Sequence, residues 1–412
     1  MVRVVVAVEP ERRRGGATTR ALAKVNSTSI TELLRQAGAL SRRQIGLRTG
    51  LSPATVNRLT TELIKDGVLV VAGHEPSSGG RPSILLRYAG DARLVAAVQL
   101  HAERAAGVLV DLDGQIVLRR EVALPSALAP DASAEAIARK QATQLTLMID
   151  LINLLIDAAR GLGAPCVSIG VAVPGTVAPP DGSVARMPEI GWNEVPLGRI
   201  LTERFDLPIV VENDANALAF GELHRGAGRG TSSLVSLLLG RGLGAGIITN
   251  RELHRGASAK AGEVGYLLVD RTAFARSYGE HGDLEDRIGS VALTRQARAR
   301  GIPLPANGRI TAEDIFQLAV EGNDAASEMA EEILDLISLT IAALVTVLDP
   351  ELVVVASSFG NAARFVPAIQ KRLTGRIIEV PRLVPATFRE DAVLLGVAEL
   401  AAAEVNQFTY LS

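Results

Sequence analysis

The residues with the clearest chemical potential are three consecutive polar side chains, Glu212-Asn213-Asp214. They follow the β-branched run 209–211, which is typical of a buried strand, and they precede small residues typical of a helix. Polar groups at the carboxyl end of a strand in an α/β protein lie where ligands bind. Asn213 and Asp214 could hydrogen-bond hydroxyl groups, and Asp214 could also act as a general base. The alternative is that they only cap the following helix.

The composition around these residues predicts a cytoplasmic α/β protein. The 412 residues suffice for two or three domains, and 48% are hydrophobic, which allows a sizeable core. The single cysteine, Cys166, forms no disulfide framework, so we expect a reducing compartment. Charged residues follow the apolar residues 1–8 without a cleavage-site pattern, so we expect no signal peptide. The apolar pattern 333–348 is interrupted by polar residues, which predicts a core helix and no membrane partner.

Charge is distributed unevenly along the chain. Residues 1–87 contain 14 basic and 6 acidic residues, a net charge of +8. The other residues contain 29 basic and 39 acidic residues, a net charge of −10. This asymmetry predicts a polyanionic partner for the N-terminal part only.

The basic part begins with a tail and two predicted helices. Residues 1–26 have no periodicity, so we expect a flexible tail. The segment 29–32 has capping-box spacing and predicts the start of a first helix. Ser41 is positioned to cap a second, short helix whose apolar positions are Ile45 and Leu47.

The next residues predict the second half of a helix-turn-helix. Gly50 permits a sharp turn, and Ser52-Pro53 is a cap followed by proline at the first helical position. The second helix of such a motif enters the DNA major groove. The candidate DNA contacts on its first turn are Ser52, Ala54, Thr55, Asn57 and Arg58. Arg58 and Asn57 suit base edges, whereas Ser52 and Thr55 suit phosphates.

A β-ribbon is predicted after the helix that begins at Ser52-Pro53, which is the third helix of the basic part. Strands are predicted at 68–72 and 84–88, and the loop between them contains Gly80-Arg81-Pro82. This loop predicts a wing that places Arg81 beside a narrow groove or a phosphate. Residues 27–88 therefore predict a winged helix-turn-helix domain that binds double-stranded DNA, with a three-helix protein-interaction module as the alternative.

Residues 89–412 predict an internally duplicated α/β fold. The first half has strand patterns at 94–100, 106–111, 115–123 and 166–173, and a helix pattern at 133–162 that Ser133 would cap. The second half has strand patterns at 234–239, 245–249, 264–269 and 352–356. Each half begins with a β-meander and continues with helices, so we expect a ligand cleft between them near Asn213 and Asp214.

The chain resembles the ROK family, which unites sugar-responsive bacterial repressors of the xylose and N-acetylglucosamine types with sugar kinases. The resemblance covers residues 27–405. It rests on the wing sequence and on the motifs at 170–175, 191–197, 212–216 and 262–265. It implies a winged helix-turn-helix followed by a duplicated actin-like ATPase (ribonuclease H-like) fold, with two lobes.

The chain departs from the kinases of this family at the nucleotide positions. The family's phosphate loop, Asp-x-Gly-Gly-Thr-Lys, is replaced by residues 99–104, in which Glu103 would repel a phosphate. The family's Gly-Gly pair beside adenosine is replaced by Ser357-Ser358. The resemblance therefore implies a degenerate kinase that is not an enzyme, with no catalytic residues and no cofactor.

The family's zinc site is also altered. The positions of its His and three Cys ligands hold Tyr266, Arg276, Tyr278 and Asp283. Without an imidazole or a thiolate there, we expect no metal site. His281 lies nearby in sequence, and a lone histidine in a polar loop is more often solvated than a ligand. The segment 270–284 must then be held in another way, or be mobile.

The resemblance implies a surviving sugar site. Asn213 and Asp214 would hydrogen-bond sugar hydroxyls, and Glu263 and Glu285 would complete a ring of carboxylates. Tyr266 occupies the place of the family's sugar-facing histidine, which leaves the sugar unspecified. The alternative is a set of inherited residues in a domain that no longer binds a ligand.

The leading hypothesis is a sequence-specific regulator, a repressor of carbohydrate-utilisation genes controlled by a sugar or phosphosugar. We expect a homodimer or a dimer of dimers on a palindromic operator. One alternative is a sugar kinase with a fused DNA-binding domain, supported by Asp214. Another is a regulator without a small ligand that responds to a protein partner through residues 270–284.

Overall fold

The computed structural model describes residues 15–75, 83–125, 132–178, 181–187, 190–279, 281–305, 308–357 and 362–408. The chain forms two compact units. The head includes residues 15–93 and 111–113, and the body includes residues 94–110 and 114–405.

The head is a small helical domain with a three-stranded sheet. Its elements are α1 (Gly15–Ala37), β1 (Leu40–Ser41), α2 (Arg42–Thr49), α3 (Pro53–Lys65), β2 (Leu69–His74) and β3 (Ile84–Tyr88). The strands lie in the order β1-β3-β2, and both pairings are antiparallel. Side chains from all three helices form the core, including Ile30, Leu34, Ile45, Leu59 and Leu63. The fold is the predicted winged helix-turn-helix arrangement.

Helix α1 begins at Gly15, fourteen residues before the predicted start at Ser29. The predicted cap was wrong because the Ser29 hydroxyl donates within the helix to the carbonyl of Val25, at 2.9 Å. No proline interrupts residues 15–37, so the helix continues through them. Residues 15–26 of the predicted tail are therefore helical, whereas residues 1–14 lie outside the described part of the chain.

Of the two apolar positions predicted in α2, Ile45 faces the core and Leu47 does not. The Leu47 side chain is 74% exposed, whereas Ile45 is fully buried. Residues two apart on a helix lie on nearly opposite faces, so α2 can bury only one of them.

The first lobe of the body is built on a five-stranded sheet. Its elements are β4 (Leu94–Leu100), β5 (Arg104–Asp111), β6 (Ile116–Ala123), α4 (Ala134–Gly161), β7 (Cys166–Val173), β8 (Thr176–Ala178), β9 (Ser183–Met187), β10 (Trp192–Val195), α5 (Leu197–Arg204) and β11 (Ile209–Asn213). The sheet order is β11-β7-β4-β5-β6, with β11, β7 and β4 parallel. Strands β8–β10 form a separate small sheet. Ser133 caps α4 as predicted, by accepting the N–H of Ala136.

The second lobe repeats this plan. Its elements are α6 (Asp214–His224), β12 (Leu234–Leu239), β13 (Leu243–Thr249), β14 (Glu252–Leu253), α7 (Glu285–Ile288), α8 (Ser290–Ala299), α9 (Ala312–Val320), α10 (Asp324–Leu348), β15 (Leu352–Ser357), α11 (Val366–Leu373), β16 (Arg382–Pro385) and α12 (Ala392–Phe408). The sheet order is β14-β13-β12-β15-β16, with an antiparallel β12–β13–β14 meander and parallel β12, β15 and β16. The predicted duplication is confirmed.

The strand predicted at 264–269 is absent. Residues Val264–Tyr266 form a 3₁₀ turn, in which the N–H of Leu267 donates to the carbonyl of Val264 at 2.9 Å. The alternation of Val264, Tyr266 and Leu268 mimicked a strand period. The third strand of the meander is β14 instead.

Helix α6 begins at Asp214, directly after β11, and it packs closely on α12. A methyl group added at Gly221 would lie 2.7 Å from Cα of Gly396, and one added at Gly396 would lie 1.9 Å from the carbonyl oxygen of Ala217. Only glycine at these positions allows the two backbones to touch.

Among the described residues, one helix, α4, is long and apolar enough to cross a membrane by length and composition. This is weak evidence, because a core helix passes the same test. Met148, Ile152 and Leu155 of α4 are fully buried in the core of the first lobe.

Candidate functional site

The helix-turn-helix of the head has the predicted capping chemistry. The Ser41 hydroxyl accepts the N–H of Gln44, and the Gln44 side chain accepts the N–H of Ser41 at 2.9 Å. Gly50 has a φ of 73° and ends α2 with a left-handed cap. The Ser52 hydroxyl then accepts the N–H of Thr55 at 3.2 Å and begins α3. These caps fix the angle at which α3 leaves the turn.

The first turn of α3 presents the predicted DNA contacts to solvent. Ser52, Ala54, Asn57 and Arg58 are exposed, and Thr55 is partly exposed. The hydroxyls of Ser52 and Thr55 lie 2.8 Å apart, so one donates to the other and the second O–H can still serve a phosphate. Arg58 pairs with Glu62 at 3.1 Å, and both side chains are about half exposed. Such a surface pair is worth under about 1 kcal/mol, so a DNA base can compete for Arg58.

Arg42 connects α2 to α3. Arg42 was missed by the sequence analysis; its Nε donates at 2.8 Å to the hydroxyl of Thr60, which is fully buried on α3. The signal for this contact in the sequence was Thr60, a hydroxyl residue at a position of α3 where an apolar residue is expected.

The predicted wing residues Gly80, Arg81 and Pro82 lie outside the described residues.

In the body, Asn213 caps α6. Its Oδ1 accepts the N–H groups of Ala215 and Asn216, and its Nδ2 donates to the carbonyl of Gly175 at 3.1 Å. Capping therefore occurs, but it does not exhaust the side chain, because the amide has a second N–H that could bind a hydroxyl. The neighbouring Asp214 accepts the N–H of Ala215 at 2.8 Å through one oxygen. A carboxylate has about four lone-pair positions, so Asp214 can accept from a ligand as well.

Glu212 is a structural centre that the sequence analysis did not assign. The side chain is buried, and its Oε1 accepts from the backbone of Asn213 and from Asn216. Its Oε2 accepts two bonds from Arg255, at 3.0 and 2.6 Å. This ion pair, in which two guanidinium N–H groups donate to one oxygen, fixes the end of β11, from which Asn213 and Asp214 project.

Glu263 lies on the same side of the site as Asn213. The Thr176 hydroxyl donates to Glu263 Oε1 at 3.0 Å, and the carbonyl of adjacent Gly175 accepts from Asn213. Residues 175 and 176 thus connect the two predicted ligand residues. Glu263 is exposed at the surface, yet protein atoms displace water around its carboxyl and raise its pKa. The Thr176 hydrogen bond opposes this shift, and the negative charge of Glu285 adds to it.

Glu285 opens α7 and is near Glu263. A methyl group added at Gly265, two residues after Glu263, would lie 2.8 Å from Glu285 Oε2. His281 Nδ1 lies 3.2 Å from Glu285 Oε1, so His281 is not the isolated, solvated residue that we expected. The structure therefore brings Asn213, Asp214, Glu263 and Glu285 into one neighbourhood and adds His281.

The β4–β5 turn, in which residues 99–104 were predicted to replace the family's phosphate loop, contacts the β12–β13 turn. Glu103, in the β4–β5 turn, pairs with Arg241 of the β12–β13 turn at 3.4 Å. His101 lies beside them, and burial together with the charges of Arg104 and Arg241 lowers its pKa to about 4. The imidazole is therefore neutral at pH 7. Ser357, in the predicted adenosine region, donates to Glu313 at 2.8 Å, whereas Ser358 lies outside the described residues.

The residues at the family's zinc positions do not fit zinc. Tyr266 and Tyr278 are phenols, Arg276 is a cation, and only Asp283 is a common zinc ligand. Within the described ranges, no group of three or more His, Cys, Asp or Glu side chains could hold a metal ion. A tetrahedral site needs four donors, and this set cannot supply them.

Comparison with known proteins identifies both parts of the chain. The ROK family model matches residues 95–404, and a model described as winged helix-turn-helix DNA-binding matches residues 29–70. The chain belongs to the ROK family. The xylose repressor of Caldicellulosiruptor bescii is 29% identical over 407 residues, covering 94% of this chain and 98% of that protein.

Solved ROK structures share the fold. A ROK family transcriptional regulator, a homolog of the E. coli MLC protein, has a TM-score of 0.76 at 22% identity and covers 94% of this chain and 97% of its own. A ROK family glucokinase from Streptomyces griseus, in complex with glucose and AMPPNP, has a TM-score of 0.60 at 27% identity and covers 75% of this chain and 99% of its own. The regulator structure thus matches nearly the whole of this chain, whereas the glucokinase structure matches three quarters of it.

Proposed function

We propose that this ROK protein is a sequence-specific transcriptional repressor of carbohydrate-utilisation genes that acts in the cytoplasm. The observation that carries the proposal is the capped helix α3, whose first turn presents Ala54, Asn57 and Arg58 to solvent in a domain of net positive charge. Asn57 and Arg58 hydrogen-bond base edges in the major groove, while Ser52 and Thr55 contact phosphates. The wing residues Gly80, Arg81 and Pro82 add a contact in the adjacent groove.

The effector is a sugar or phosphosugar bound by Asn213, Asp214, Glu263 and Glu285. Carboxylates and an amide form paired hydrogen bonds with adjacent hydroxyls, and the four residues lie in one neighbourhood. The effector acts by favouring one of two conformations of the body, which requires a difference in binding free energy of about 1–3 kcal/mol. The repressor is a homodimer or a dimer of dimers, and its symmetry matches a palindromic operator.

The body does not catalyse phosphoryl transfer. The Glu103 carboxylate, within the residues that replace the family's phosphate loop, pairs with Arg241 of the β12–β13 turn. The kinase alternative keeps only Asp214 as a base, without a loop that binds the phosphoryl donor. The protein therefore binds the sugar as a signal and does not phosphorylate it.

The test is operator binding by the purified full chain. The protein should retard fragments of its own genome at low salt, and added sugar should release one of them. Failure to retard any fragment would reject the proposal. Steady ATP hydrolysis with any sugar of a monosaccharide panel would support the kinase alternative instead.

Asp214→Ala separates the two halves of the proposal. The variant should retain wild-type operator affinity without sugar, because Asp214 belongs to the body, and should need about tenfold more sugar for release. Asp157→Ala, which removes an exposed carboxylate from α4, is the matched control and should behave as wild type. Loss of DNA binding in Asp214→Ala would contradict the assignment.

A further inference from the structure

The segment 266–287 surrounds one buried carboxylate, that of Asp283. The side chain is 2% exposed, and a buried charge is stable only when it is paired and hydrogen-bonded. Asp283 Oδ2 accepts the N–H of Val269 at 2.9 Å. Its Oδ1 accepts the hydroxyl of Tyr278 at 2.7 Å and two guanidinium N–H groups of Arg287 at 3.2 and 3.1 Å. Four donors thus come from three parts of the segment.

Arg287 extends this set of bonds to the other end of the segment. Its Nη1 lies 2.8 Å from Asp270 Oδ2. Asp270 in turn accepts the N–H and the hydroxyl of Thr272, at 2.6 and 2.5 Å. We call Asp270, Tyr278, Asp283 and Arg287, with the N–H of Val269, the Asp283 network.

The positions at which the family places zinc ligands take part in hydrogen bonds here. Tyr278 and Asp283 belong to the Asp283 network. The Tyr266 hydroxyl donates to the carbonyl of Gly279 at 3.2 Å, and Arg276 lies 3.4 Å from Asp286. These side chains do not fit zinc. Hydrogen bonds and ion pairs connect here the same stretches of chain that zinc connects in the family.

The Asp283 network also determines where two side chains of the sugar site lie. His281 and Glu285 are each two residues from Asp283, and Arg287 belongs to the same short helix as Glu285. His281 and Glu285 contact each other at 3.2 Å. Holding Asp283 and Arg287 therefore holds both of them.

We propose that Asp283 is a positioning residue which, through Tyr278, Arg287 and Asp270, replaces a metal ion in holding segment 266–287 and sets Glu285 and His281 against the effector. Ligand sensing by this chain is then independent of zinc. The role toward the effector rests on the function proposed above. The structural role does not depend on that function.

The first experiment needs no effector. Hydrogen exchange of the full-length protein is measured for wild type and Asp283→Asn, in which an amide replaces the buried carboxylate. Exchange in peptides containing Val269 should become about tenfold faster, because an amide offers one uncharged oxygen to the four donors that the carboxylate accepts, while exchange in β15 stays unchanged. Arg271→Met removes a neighbouring exposed cation outside the Asp283 network and should leave the Val269 peptides protected. Equal protection of these peptides in Asp283→Asn and wild type would overturn the proposal.

A second experiment tests zinc directly. Protein purified without added metal should contain no stoichiometric zinc by elemental analysis. Treatment with a chelator should change neither its melting temperature nor the exchange of the Val269 peptides. Bound zinc at one equivalent per chain, or faster exchange after chelation, would refute the metal-free role.

The effector arm uses D-xylose, D-glucose and glucose 6-phosphate as probes in calorimetric titrations. For whichever probe binds the wild type, Asp283→Asn should raise Kd by about tenfold, and Tyr278→Phe, which removes one hydrogen bond, should raise it less. Wild-type affinity in Asp283→Asn would overturn the positioning role. If none of the probes binds the wild type, the proposed sugar effector is in question, and the exchange experiment still decides the role of Asp283.

Discussion

The two candidate sites differ in how their side chains are engaged before any partner binds. On α3, Asn57 and Arg58 project into solvent, and Arg58 has only a surface partner, Glu62. In the body, Asn213 and Glu263 are already held by Gly175 and Thr176. We therefore expect that Asn57 and Arg58 can be changed with little effect on stability, whereas Asn213, Glu263 and the residues that hold them contribute to the fold.

The largest expected effect in the body concerns Glu212. Arg255→Met should lower the free energy of unfolding by about 3 kcal/mol, because it leaves a buried carboxylate without its cation. Urea unfolding followed by circular dichroism measures the loss. Arg160→Met removes an arginine from an exposed pair with Asp157 and is the control, with an expected change near zero. Equal losses in the two variants would remove the contrast between the body site and the surface.

The second prediction is that the contribution of His101 to the free energy of unfolding depends on pH. Its pKa is about 4 in the folded protein, below its ordinary 6.5, because burial and the charges of Arg104 and Arg241 oppose protonation. The unfolded chain therefore binds the proton first. The contribution of His101 to stability is complete above about pH 6.5 and is lost as pH falls toward 4.

At about 1.4 kcal/mol per pKa unit, this loss amounts to at most about 3 kcal/mol. It is measured as the difference in urea unfolding between pH 7 and pH 4.5. His101→Asn should show a smaller difference than wild type, because the variant lacks the titrating group. The same pH difference in both proteins would rule out His101 as its source.

In the head, Arg58→Ala should weaken operator binding by about tenfold to hundredfold through loss of a base contact. The melting temperature should not change, because the pair with Glu62 is exposed. Electrophoretic mobility shift at fixed salt and thermal unfolding measure the two quantities. Arg35→Ala on α1 removes the same charge and is the control. A destabilised Arg58→Ala protein would show that the head does not differ from the body in this respect.

The smallest expected effect separates the two roles of Ser52. Ser52→Ala should lower the stability of the head by about 1 kcal/mol because α3 loses its cap. Ser52→Asp keeps a capping acceptor and should retain stability, but its charge should repel a phosphate and weaken DNA binding. If Ser52→Asp binds DNA as the wild type does, Ser52 acts only as a cap.

The sequence predicted the elements whose signals are local. Ser41, Gly50 and Ser52 specify caps and a turn within a few residues, and the structure has each of them. The duplicated sheets were also predictable, because β-branched runs such as Ile209–Val211 mark strands, although β11 is an edge strand whose residues 209–211 are only half-buried. The strand predicted at Val264–Val269 was wrong because an alternating pattern does not reveal whether a partner strand is available.

Contacts between residues distant in sequence were not predictable. Nothing near Glu212 indicates that Arg255 will pair with it, and Thr176 and Glu263 are 87 residues apart. The Asp283 network was missed for another reason. The family pattern drew attention to the missing metal ligands, whereas Tyr278, Asp283 and Arg287 provide mutual bonds that only the folded chain brings together.

The close packing of Gly221 on Gly396 has a mechanical consequence. Side chains between two helices can change rotamer and absorb a small displacement, but two backbones in direct contact leave no such compliance. A shift of α6, whose first residue is Asp214, must therefore move α12 by a similar amount. The contact between Gly221 and Gly396 is therefore a point at which α6 and α12 move together.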